Sequence, residues 1–373
     1  IASAFSYEAK ALGITRAMPI FRIKKEFPQV IVLPGDYKSY AKYSKMMFDI
    51  VRRYADDVEE YSIDECFAEL TGLDKPLKMT YKEIAERIKK EANEELGLSV
   101  TIGLAPTKVL AKVASKWVKP NGLTVITKDS AAGYLSQFSI EKIWGIGPSA
   151  ANTLKTLGVH TAGDFVAKDR EWVHSTFSKP YESIWRELHG EVVMELDTKP
   201  KTGYDSIQKT RTFHPSTNDK DFLLSQLSKN IEDACAKARH YALIPKKVSI
   251  FLKDKDFEFT TRAIIPFVPT SAPEILLDLV SEQLDLMHTR GVMYRATGVT
   301  LLELATHVST QGHLFGEADK VSKFEAVHKQ LDKLESKFGK RVVHLASTHN
   351  ASGLREKNGG TDADDVDRNL LFL

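Results

Sequence analysis

The sequence has 373 residues, of which 42% are hydrophobic and 27% are charged, and its formal net charge is +2. This composition is typical of a soluble globular protein, and the length predicts two or three hydrophobic cores. It argues against a membrane protein, because no apolar run approaches the length of a membrane span, and the first residues do not resemble a signal peptide. We therefore predict a cytoplasmic protein.

The two cysteines, Cys66 and Cys235, are far apart in the sequence and lack a CxxC spacing. The sequence therefore predicts neither a disulfide framework nor a structural zinc site. The small net charge does not decide whether the protein binds nucleic acid, because a basic face can coexist with acidic faces elsewhere.

The first 126 residues mix short strands and helices. Residues 1–36 end in the strand-like run VIVLP, and the helical spacing of Tyr40, Tyr43, Met47, Ile50 and Tyr54 predicts a helix over 37–54 with an aromatic face in the core. A strand around YSIDECFAEL is expected next, then a helix over 81–95, the strand LSVTIGLA and a lysine-bearing helix over 107–117. This irregular alternation favours an α+β fold.

The rest of the chain divides by its pattern into three parts. Residues 127–192 are predicted to be wholly helical, and the run VMELDTKPKTG predicts a linker over 193–203. Residues 204–304 have the order strand, helix, two strands, helix, strand, which matches the split, ferredoxin-like arrangement. Residues 305–373 include a short amphipathic helix and an acidic end, which we expect to be disordered.

Asp64 and Glu65 stand side by side within the strand-like run YSIDECF. An exposed turn or a sheet edge is the ordinary interpretation of such a pair. The apolar neighbours are typical of a core strand, where two carboxylates repel one another unless a cation lies between them. Because Mg²⁺ binds one or two protein carboxylates plus substrate phosphates, the pair indicates half of a metal site for phosphoryl transfer.

Three motifs in this order, SYEAKALGI, SIDE and KVLAKVASKWVKPNG, resemble those of the Y-family translesion DNA polymerases, and among them the bacterial DNA polymerase IV group. The resemblance implies a multidomain right-hand polymerase of α+β class, and its domains follow the chain in order: fingers (1–36), palm (37–126), thumb with a helix-hairpin-helix (127–192), linker (193–203), ferredoxin-like little finger (204–304) and tail (305–373). It implies template-directed addition of deoxynucleotides to a primer 3′ end opposite damaged or distorted template.

The resemblance also implies roles for single residues. Asp64 would bridge two Mg²⁺ ions, and Glu65 would bind the ion that activates the primer 3′ hydroxyl. Tyr7, Lys10 and Lys119 would hold the incoming deoxynucleoside triphosphate. Position 10 is usually arginine in the relatives, and a lysine lacks the planar fork that grips a phosphate in two places, so we expect weaker binding. Taken alone, Tyr7 is typical of a packed surface aromatic, Lys10 of a solvated charge and Lys119 of a helix end.

Lys108, Lys112 and Lys116 recur at every fourth position of one predicted helix. Such a row is usually a solvated face, but Lys108 matches a family lysine near the primer and template, which makes DNA contact the alternative.

The run IEKIWGIGPSAANTLKTLGV resembles a helix-hairpin-helix. The backbone N–H groups of Gly145, Ile146 and Gly147 would bind a phosphate of the primer strand without regard to base sequence. A plain helical hairpin is the alternative.

In the predicted little finger, Ser206, Lys209 and Arg211 match the strand that touches the template backbone in the family. Acidic and basic residues are about equally frequent in this region. We therefore expect one sheet face to carry the bases and the helices to carry the acids.

The run QGHLF resembles the QxxLF peptide by which bacterial polymerases dock on the sliding clamp. Leu314 and Phe315 would fill an apolar pocket while Gln311 forms a hydrogen bond beside it. A short packing segment is the alternative. The implied partners are thus primer-template DNA, deoxynucleoside triphosphates and the clamp, with no membrane, and we expect a monomer.

Relatives carry a further Asp in a first strand, followed by an aromatic steric gate that excludes ribonucleotides. Both would lie before Ile1, so we expect this sequence to begin inside a domain and, as it stands, to extend a primer poorly. The competing hypothesis is a non-catalytic scaffold that binds DNA and the clamp. The adjacent Asp64 and Glu65 argue against that hypothesis.

Overall fold

The computed structural model describes residues 1–199, 203–306, 317–338, 341 and 343–351. The chain divides into two compact units between Pro200 and Lys201. None of the helices in the described part of the chain is long and apolar enough to cross a membrane.

The first unit is built from short helices and two small sheets. Strand β1 (Val58–Ser62) pairs antiparallel with β2 (Glu65–Ala68), and β3 (Ile102–Leu104) pairs parallel with β4 (Leu123–Val125). The helices follow the chain as α1 (Tyr7–Ala11), α2 (Ile20–Glu26), α3 (Tyr37–Arg52), α4 (Asp74–Leu77), α5 (Tyr81–Leu96), α6 (Lys108–Trp117), α7 (Ala131–Leu135), α8 (Pro148–Thr156), α9 (Ala162–Val166), α10 (Arg170–Thr176) and α11 (Lys179–Leu188).

The hydrophobic residues of this unit form separate clusters. One cluster joins α3 and α5 to the β1–β2 hairpin through residues such as Ile50, Ile84 and Ile88. Another joins α6, through Val109 and Val113, to the helices α7 to α11. The hairpin and α6 therefore belong to different cores, and charged and aromatic side chains lie where they meet, as described below.

Helix α6 lies unusually close to strand β3. A Cβ atom added at Gly103 would lie 2.1 Å from the backbone oxygen of Ala111 and 2.4 Å from the backbone nitrogen of Ser115. Because these are backbone atoms of the helix, they cannot move aside independently. Only glycine lets the strand approach α6 this closely.

A buried carboxylate fixes the N-terminus of α6. Glu187 is fully buried, and its Oε2 accepts a hydrogen bond of 3.2 Å from the backbone N–H of Val109, one of the first-turn donors that have no partner within the helix. Its Oε1 accepts hydrogen bonds of 2.8 Å from the backbone N–H groups of Val193 and Met194. Glu187 thus links α11, α6 and the segment after α11.

Two predictions for the first unit were wrong. The run VIVLP forms no strand, and Ile31 and Leu33 are 83% and 78% exposed. The aromatic face of α3 is not core either, because Tyr40 and Tyr43 are about half exposed. The helix instead buries Ala41, Ser44, Phe48 and Val51, together with Ile50, the member of the predicted set that does lie in the core.

The second unit confirms the predicted order of elements. It contains β5 (Ser206–Thr217), α12 (Lys220–His240), β6 (Ile244–Asp254), β7 (Phe259–Ile264), α13 (Pro273–Met287) and β8 (Tyr294–Ala305). The sheet order is β5-β8-β6-β7, with every neighbouring pair antiparallel. Because β8 lies between β5 and β6, which α12 connects, the crossover is of the predicted split type.

Beyond the sheet, the predicted tail contains a helix, α14 (Glu317–Phe338), which has 22 residues and is longer than the short helix expected. Arg239 of α12 forms an ion pair of 2.8 Å with Asp332, and His328 lies 2.9 Å from Glu274 of α13. Helix α14 is therefore fixed against the helical side of this unit.

Replacing Glu187 with alanine should lower the free energy of unfolding of the first unit by about 3 kcal/mol, because three backbone N–H groups lose their buried acceptor. Urea unfolding followed by tryptophan fluorescence measures this unit alone, because every tryptophan of the sequence lies in it: Trp117, Trp144, Trp172 and Trp185. The exposed Glu171→Ala variant is the control and should change stability by less than about 0.5 kcal/mol. Equal effects of the two substitutions would contradict the assigned role of Glu187.

Candidate active site

Asp64 and Glu65 lie at the turn of the β1–β2 hairpin. Ser62 pairs with Glu65 across the strands, and Ile63 and Asp64 form the turn between them. Asp64 is exposed, and its Oδ1 accepts a hydrogen bond of 2.8 Å from Ser62 Oγ. The prediction that both carboxylates stand inside a core strand was therefore wrong, because the chain reverses at Asp64 and only Glu65 belongs to a strand.

The two faces of the hairpin have different neighbours. Val58, Cys66 and Ala68 belong to the core formed with α3 and α5. Glu65 and Phe67 alternate with these residues along β2 and lie on the side of α6, where lysine side chains contact both of them. The hairpin thus presents a charged and aromatic face to the lysine-bearing helix.

Lys112 of α6 makes an ion pair with Glu65. The distance from Lys112 Nζ to Glu65 Oε1 is 2.6 Å, and only 10% of the lysine side chain is exposed, against 44% for the glutamate. The ammonium group also lies 5.4 Å from the ring centroid of Tyr61 and 5.7 Å from that of Phe67. A largely desolvated cation therefore lies between two aromatic rings and one of the candidate metal ligands.

The neighbouring lysines are also engaged within the protein. Lys108 Nζ lies 2.5 Å from Glu59 Oε2 and 4.8 Å from the ring centroid of Phe67, and 13% of its side chain is exposed. Lys116 Nζ donates a hydrogen bond of 2.7 Å to the carbonyl oxygen of Lys142, and burial is the main cause of its lowered pKa. Lys108 and Lys112 are thus not part of a solvated face, whereas Lys116 is exposed. A role for Lys108 in DNA binding stays a prediction.

An aromatic contact joins the hairpin to the glycine-rich turn. Trp144 Nε1 donates a hydrogen bond of 2.9 Å to Tyr61 Oη, and the ring centroids of these residues are 5.3 Å apart. The Trp144 ring also lies 5.4 Å from that of Phe67. Because Trp144 directly precedes Gly145, the predicted phosphate-binding turn lies next to the hairpin that carries the carboxylates.

The turn itself has the geometry of an open helix start. Gly145 has φ of +90°, and Gly147 is the N-cap of α8, where no side chain accepts a hydrogen bond from the first turn. Ile146 is buried and its backbone N–H donates a hydrogen bond of 3.2 Å to the carbonyl oxygen of Ile143, so this one of the three predicted donors is used within the turn. The element before the turn is a single 3₁₀ turn (Ile140–Lys142), shorter than the first helix of a regular helix-hairpin-helix.

The three predicted nucleotide-binding residues lie in two places, on α1 and in the loop after α6. Tyr7 and Lys10 are on α1, where the Lys10 ammonium lies 6.0 Å from the centroid of the half-exposed Tyr7 ring. Lys119 is exposed just after α6 ends. The loop after it is tight, since a Cβ at Gly122 would lie 2.0 Å from the carbonyl oxygen of Val118.

The predicted DNA-binding residues of β5 do not share one face. Residues 206–212 pair with β8 in continuous register, so side chains alternate between the two faces. Ile207 is buried in the core beneath the helices, and Lys209 and Arg211 lie on its side of the strand, whereas Ser206 lies on the opposite side. The two basic residues of the set thus share one side of the strand, and DNA binding by the three residues stays a prediction. Gln311, Leu314 and Phe315 lie outside the described residues.

Asp64 and Glu65 supply two oxygen donors for a metal ion. No group of three or more His, Cys, Asp or Glu side chains that could hold a metal occurs in the described ranges. Two carboxylates fit the way Mg²⁺ is bound in phosphoryl-transfer sites, where substrate phosphates and water complete the coordination. Burial raises the pKa of the adjacent Cys66 thiol to about 12, so this sulfur remains protonated and does not compete as a thiolate ligand.

The comparisons with known proteins agree on one family. Residues 1–116 match the impB/mucB/samB family, and residues 205–314 match the C-terminal domain of the same family. DNA polymerase IV of Xanthomonas campestris pv. campestris (strain 8004) is 30% identical over 328 residues, which cover 85% of this chain and 88% of that protein. The chain belongs to the Y family of DNA polymerases.

Other relatives and solved structures are consistent with this family. DNA polymerase IV 1 of Bacillus subtilis (strain 168) is 28% identical over 344 residues, which cover 92% of this chain and 82% of that protein. A Y-family DNA polymerase chimera of Dbh and Dpo4 has the same fold, with a TM-score of 0.67 at 23% identity over 81% of this chain and 87% of the chimera. A Dbh ternary complex with partially disordered substrates gives a TM-score of 0.50 at 26% identity, over 79% of this chain and 87% of that structure.

The sequence reasoning missed the partners of the hairpin. Lys112 was noted only as a member of the lysine row, and Glu59 was not singled out. A signal was present in the sequence, because Lys108 and Lys112 are one helical turn apart while Glu59 and Glu65 flank the same turn of a hairpin. That match becomes visible only once the turn at Asp64 is recognised.

Both thiols should be unreactive in the folded protein at pH 8. Burial raises the pKa of Cys66 and that of Cys235 to about 12, so only about one thiol in ten thousand is ionised at that pH. We expect Ellman's reagent to modify neither cysteine rapidly in the native chain and both in guanidinium chloride, followed by absorbance. A rapid phase of one thiol in the native protein would contradict the assigned environment of the corresponding cysteine.

Proposed function

We propose that this chain is a template-directed DNA polymerase of the translesion type, which adds deoxynucleotides to a primer 3′ end by a mechanism that uses two Mg²⁺ ions. The observation that carries the proposal is the hairpin turn, which presents Asp64 and Glu65 beside a row of lysines in a chain that belongs to this polymerase family. The non-catalytic scaffold is the competing proposal, and the first experiment below separates the two.

Asp64 and Glu65 would hold the metal ions. Bound there, two divalent ions would stabilise the attacking and the leaving oxygen of an in-line displacement at the α-phosphate. The exposed position of Asp64 suits a ligand that reaches substrate, and the hydrogen bond from Ser62 fixes the orientation of its carboxylate. Glu65 is anchored by the first residue pair of the hairpin, which limits its movement.

The basic residues and the glycine turn would bind the phosphates. Tyr7 and Lys10 on α1, together with Lys119 after α6, offer hydroxyl and ammonium donors to the incoming triphosphate. The uncapped N-terminus of α8 offers backbone N–H groups to a primer phosphate. Neither set reads base identity, which suits a polymerase whose template directs the sequence.

We extend the proposal to a bacterial sliding clamp as a partner, on the basis of the QGHLF sequence. Leu314 and Phe315 are the apolar anchors of this motif, and Gln311 is its polar contact. The motif follows β8 and precedes α14 in the chain, so it stands between two elements of the second unit.

Asp64→Asn and Glu65→Gln should each reduce Mg²⁺-dependent primer extension by about a thousandfold, because each removes a charged metal ligand. Binding of primer-template DNA should change by less than about twofold, since neither carboxylate contacts the duplex in this proposal. Primer extension in the full-length protein, with and without a lesion in the template, measures the first effect, and fluorescence anisotropy of labelled DNA measures the second.

Asp56→Asn is the matched control, because it removes an exposed carboxylate from the loop just before the same hairpin. It should extend primers like the unmodified protein. Near-normal extension by either site variant would remove the metal-site assignment. DNA binding without extension by the unmodified full-length protein would instead support the scaffold.

Replacing both Leu314 and Phe315 with alanine should leave single-nucleotide incorporation on short primers unchanged and abolish the gain in product length that a loaded bacterial clamp gives. The reason is that the two side chains would supply most of the apolar contact with the clamp. Product lengths on a primed circular template, with and without clamp, test this. A double variant that still responds fully to the clamp, or that loses its thermal unfolding transition, would show that QGHLF packs within the chain instead.

A further inference from the structure

The contact between Lys112 and Glu65 places a protein cation on a carboxylate that the proposed function assigns to metal. The ammonium is 2.6 Å from Glu65 Oε1. A divalent ion bound to the same oxygen would lie within a few ångström of the ammonium group. The two cations would then repel each other strongly. The structure therefore shows the site with its negative charge already partly neutralised.

The surroundings of Lys112 make this contact costly to break. Its side chain is 10% exposed, and its ammonium group lies 5.4 Å and 5.7 Å from the ring centroids of Tyr61 and Phe67, which contact each other edge to face. A desolvated ammonium without an anion is strongly disfavoured. The contacts of the adjacent lysines offer no second anion to Lys112. Lys108 is paired with Glu59, and Lys116 donates a hydrogen bond to a backbone carbonyl oxygen.

We propose that Lys112 is a built-in counter-cation of the metal site, which holds Glu65 before metal binds and competes with the divalent cation for this carboxylate. This inference rests on the proposed function, because it needs Glu65 to be a metal ligand. Lys112 is a positioning residue in this account, since it acts through Glu65 and not on the substrate. Metal binding to the free protein is weakened by the cost of releasing Lys112 from Glu65.

The test is the affinity of the DNA-free protein for Mn²⁺ alone, measured by the loss of the free-ion signal in electron paramagnetic resonance. Lys112→Met removes the competing charge while a flexible apolar side chain remains beside the two rings. We expect Mn²⁺ to bind this variant about tenfold more tightly than the unmodified protein. Lys112→Arg keeps the charge and should bind Mn²⁺ like the unmodified protein.

The loss of any nearby positive charge raises cation affinity somewhat, so the specific effect is isolated by a double-mutant cycle. Lys112→Met in a Glu65→Gln background should change Mn²⁺ affinity by less than about twofold, the range of a long-range charge effect. Thermal unfolding followed by circular dichroism confirms that each variant is folded. If Lys112→Met does not fold, Lys112→Gln takes its place in the cycle.

The outcomes separate this inference from the proposed function. If Glu65→Gln leaves Mn²⁺ affinity unchanged, Glu65 is not a metal ligand and both are overturned. If Glu65→Gln weakens binding but Lys112→Met does not tighten it, the metal site stands and the competition is overturned. Weaker Mn²⁺ binding by Lys112→Met would also overturn it, because Lys112 would then assist the metal ligand.

Discussion

A desolvated ammonium group requires an anion, and helix α6 brings two such groups against one hairpin. Lys108 meets Glu59, and Lys112 meets Glu65. These pairs couple the hairpin of one hydrophobic core to a helix of another, so the position of the candidate metal ligands depends on them. Charge neutralisation by α6 therefore acts together with apolar packing against α3 and α5 in positioning the turn with Asp64 and Glu65.

The position of α6 is itself fixed by contacts that tolerate little change. Gly103 lets strand β3 approach the helix backbone, and the buried carboxylate of Glu187 holds the first turn through the N–H of Val109. Neither residue contacts substrate in the proposed function. We therefore expect variants at these positions to shift the lysines of α6 and, through them, the hairpin.

The sequence predicted the periodic elements well and the local geometry less well. The β-α-β-β-α-β order of the second unit follows from long runs of clear periodicity, and it was correct. The turn at Asp64 was missed because the apolar residues on both sides of it have the pattern of one continuous strand. In the structure, Ile63 and Asp64 reverse the chain between two strands. Strand alternation also separates Ser206 from Lys209 and Arg211, a consequence of their odd spacing that a family match does not reveal. The ion pair between Lys112 and Glu65 joins residues far apart in sequence, so only the tertiary structure shows it.

The central claim is that Asp64 and Glu65 form the metal site of a polymerase. The most direct measurement is a crystal structure of the full-length protein with primer-template DNA, a non-hydrolysable deoxynucleoside triphosphate and Mn²⁺, located by its anomalous scattering. The account predicts Mn²⁺ bound directly to carboxylate oxygens of Asp64 and Glu65, at close to the distance of about 2.1 Å typical of Mg²⁺, with the Lys112 ammonium no longer on Glu65. Mn²⁺ bound elsewhere, with the Lys112–Glu65 ion pair intact beside an ordered nucleotide, would contradict it.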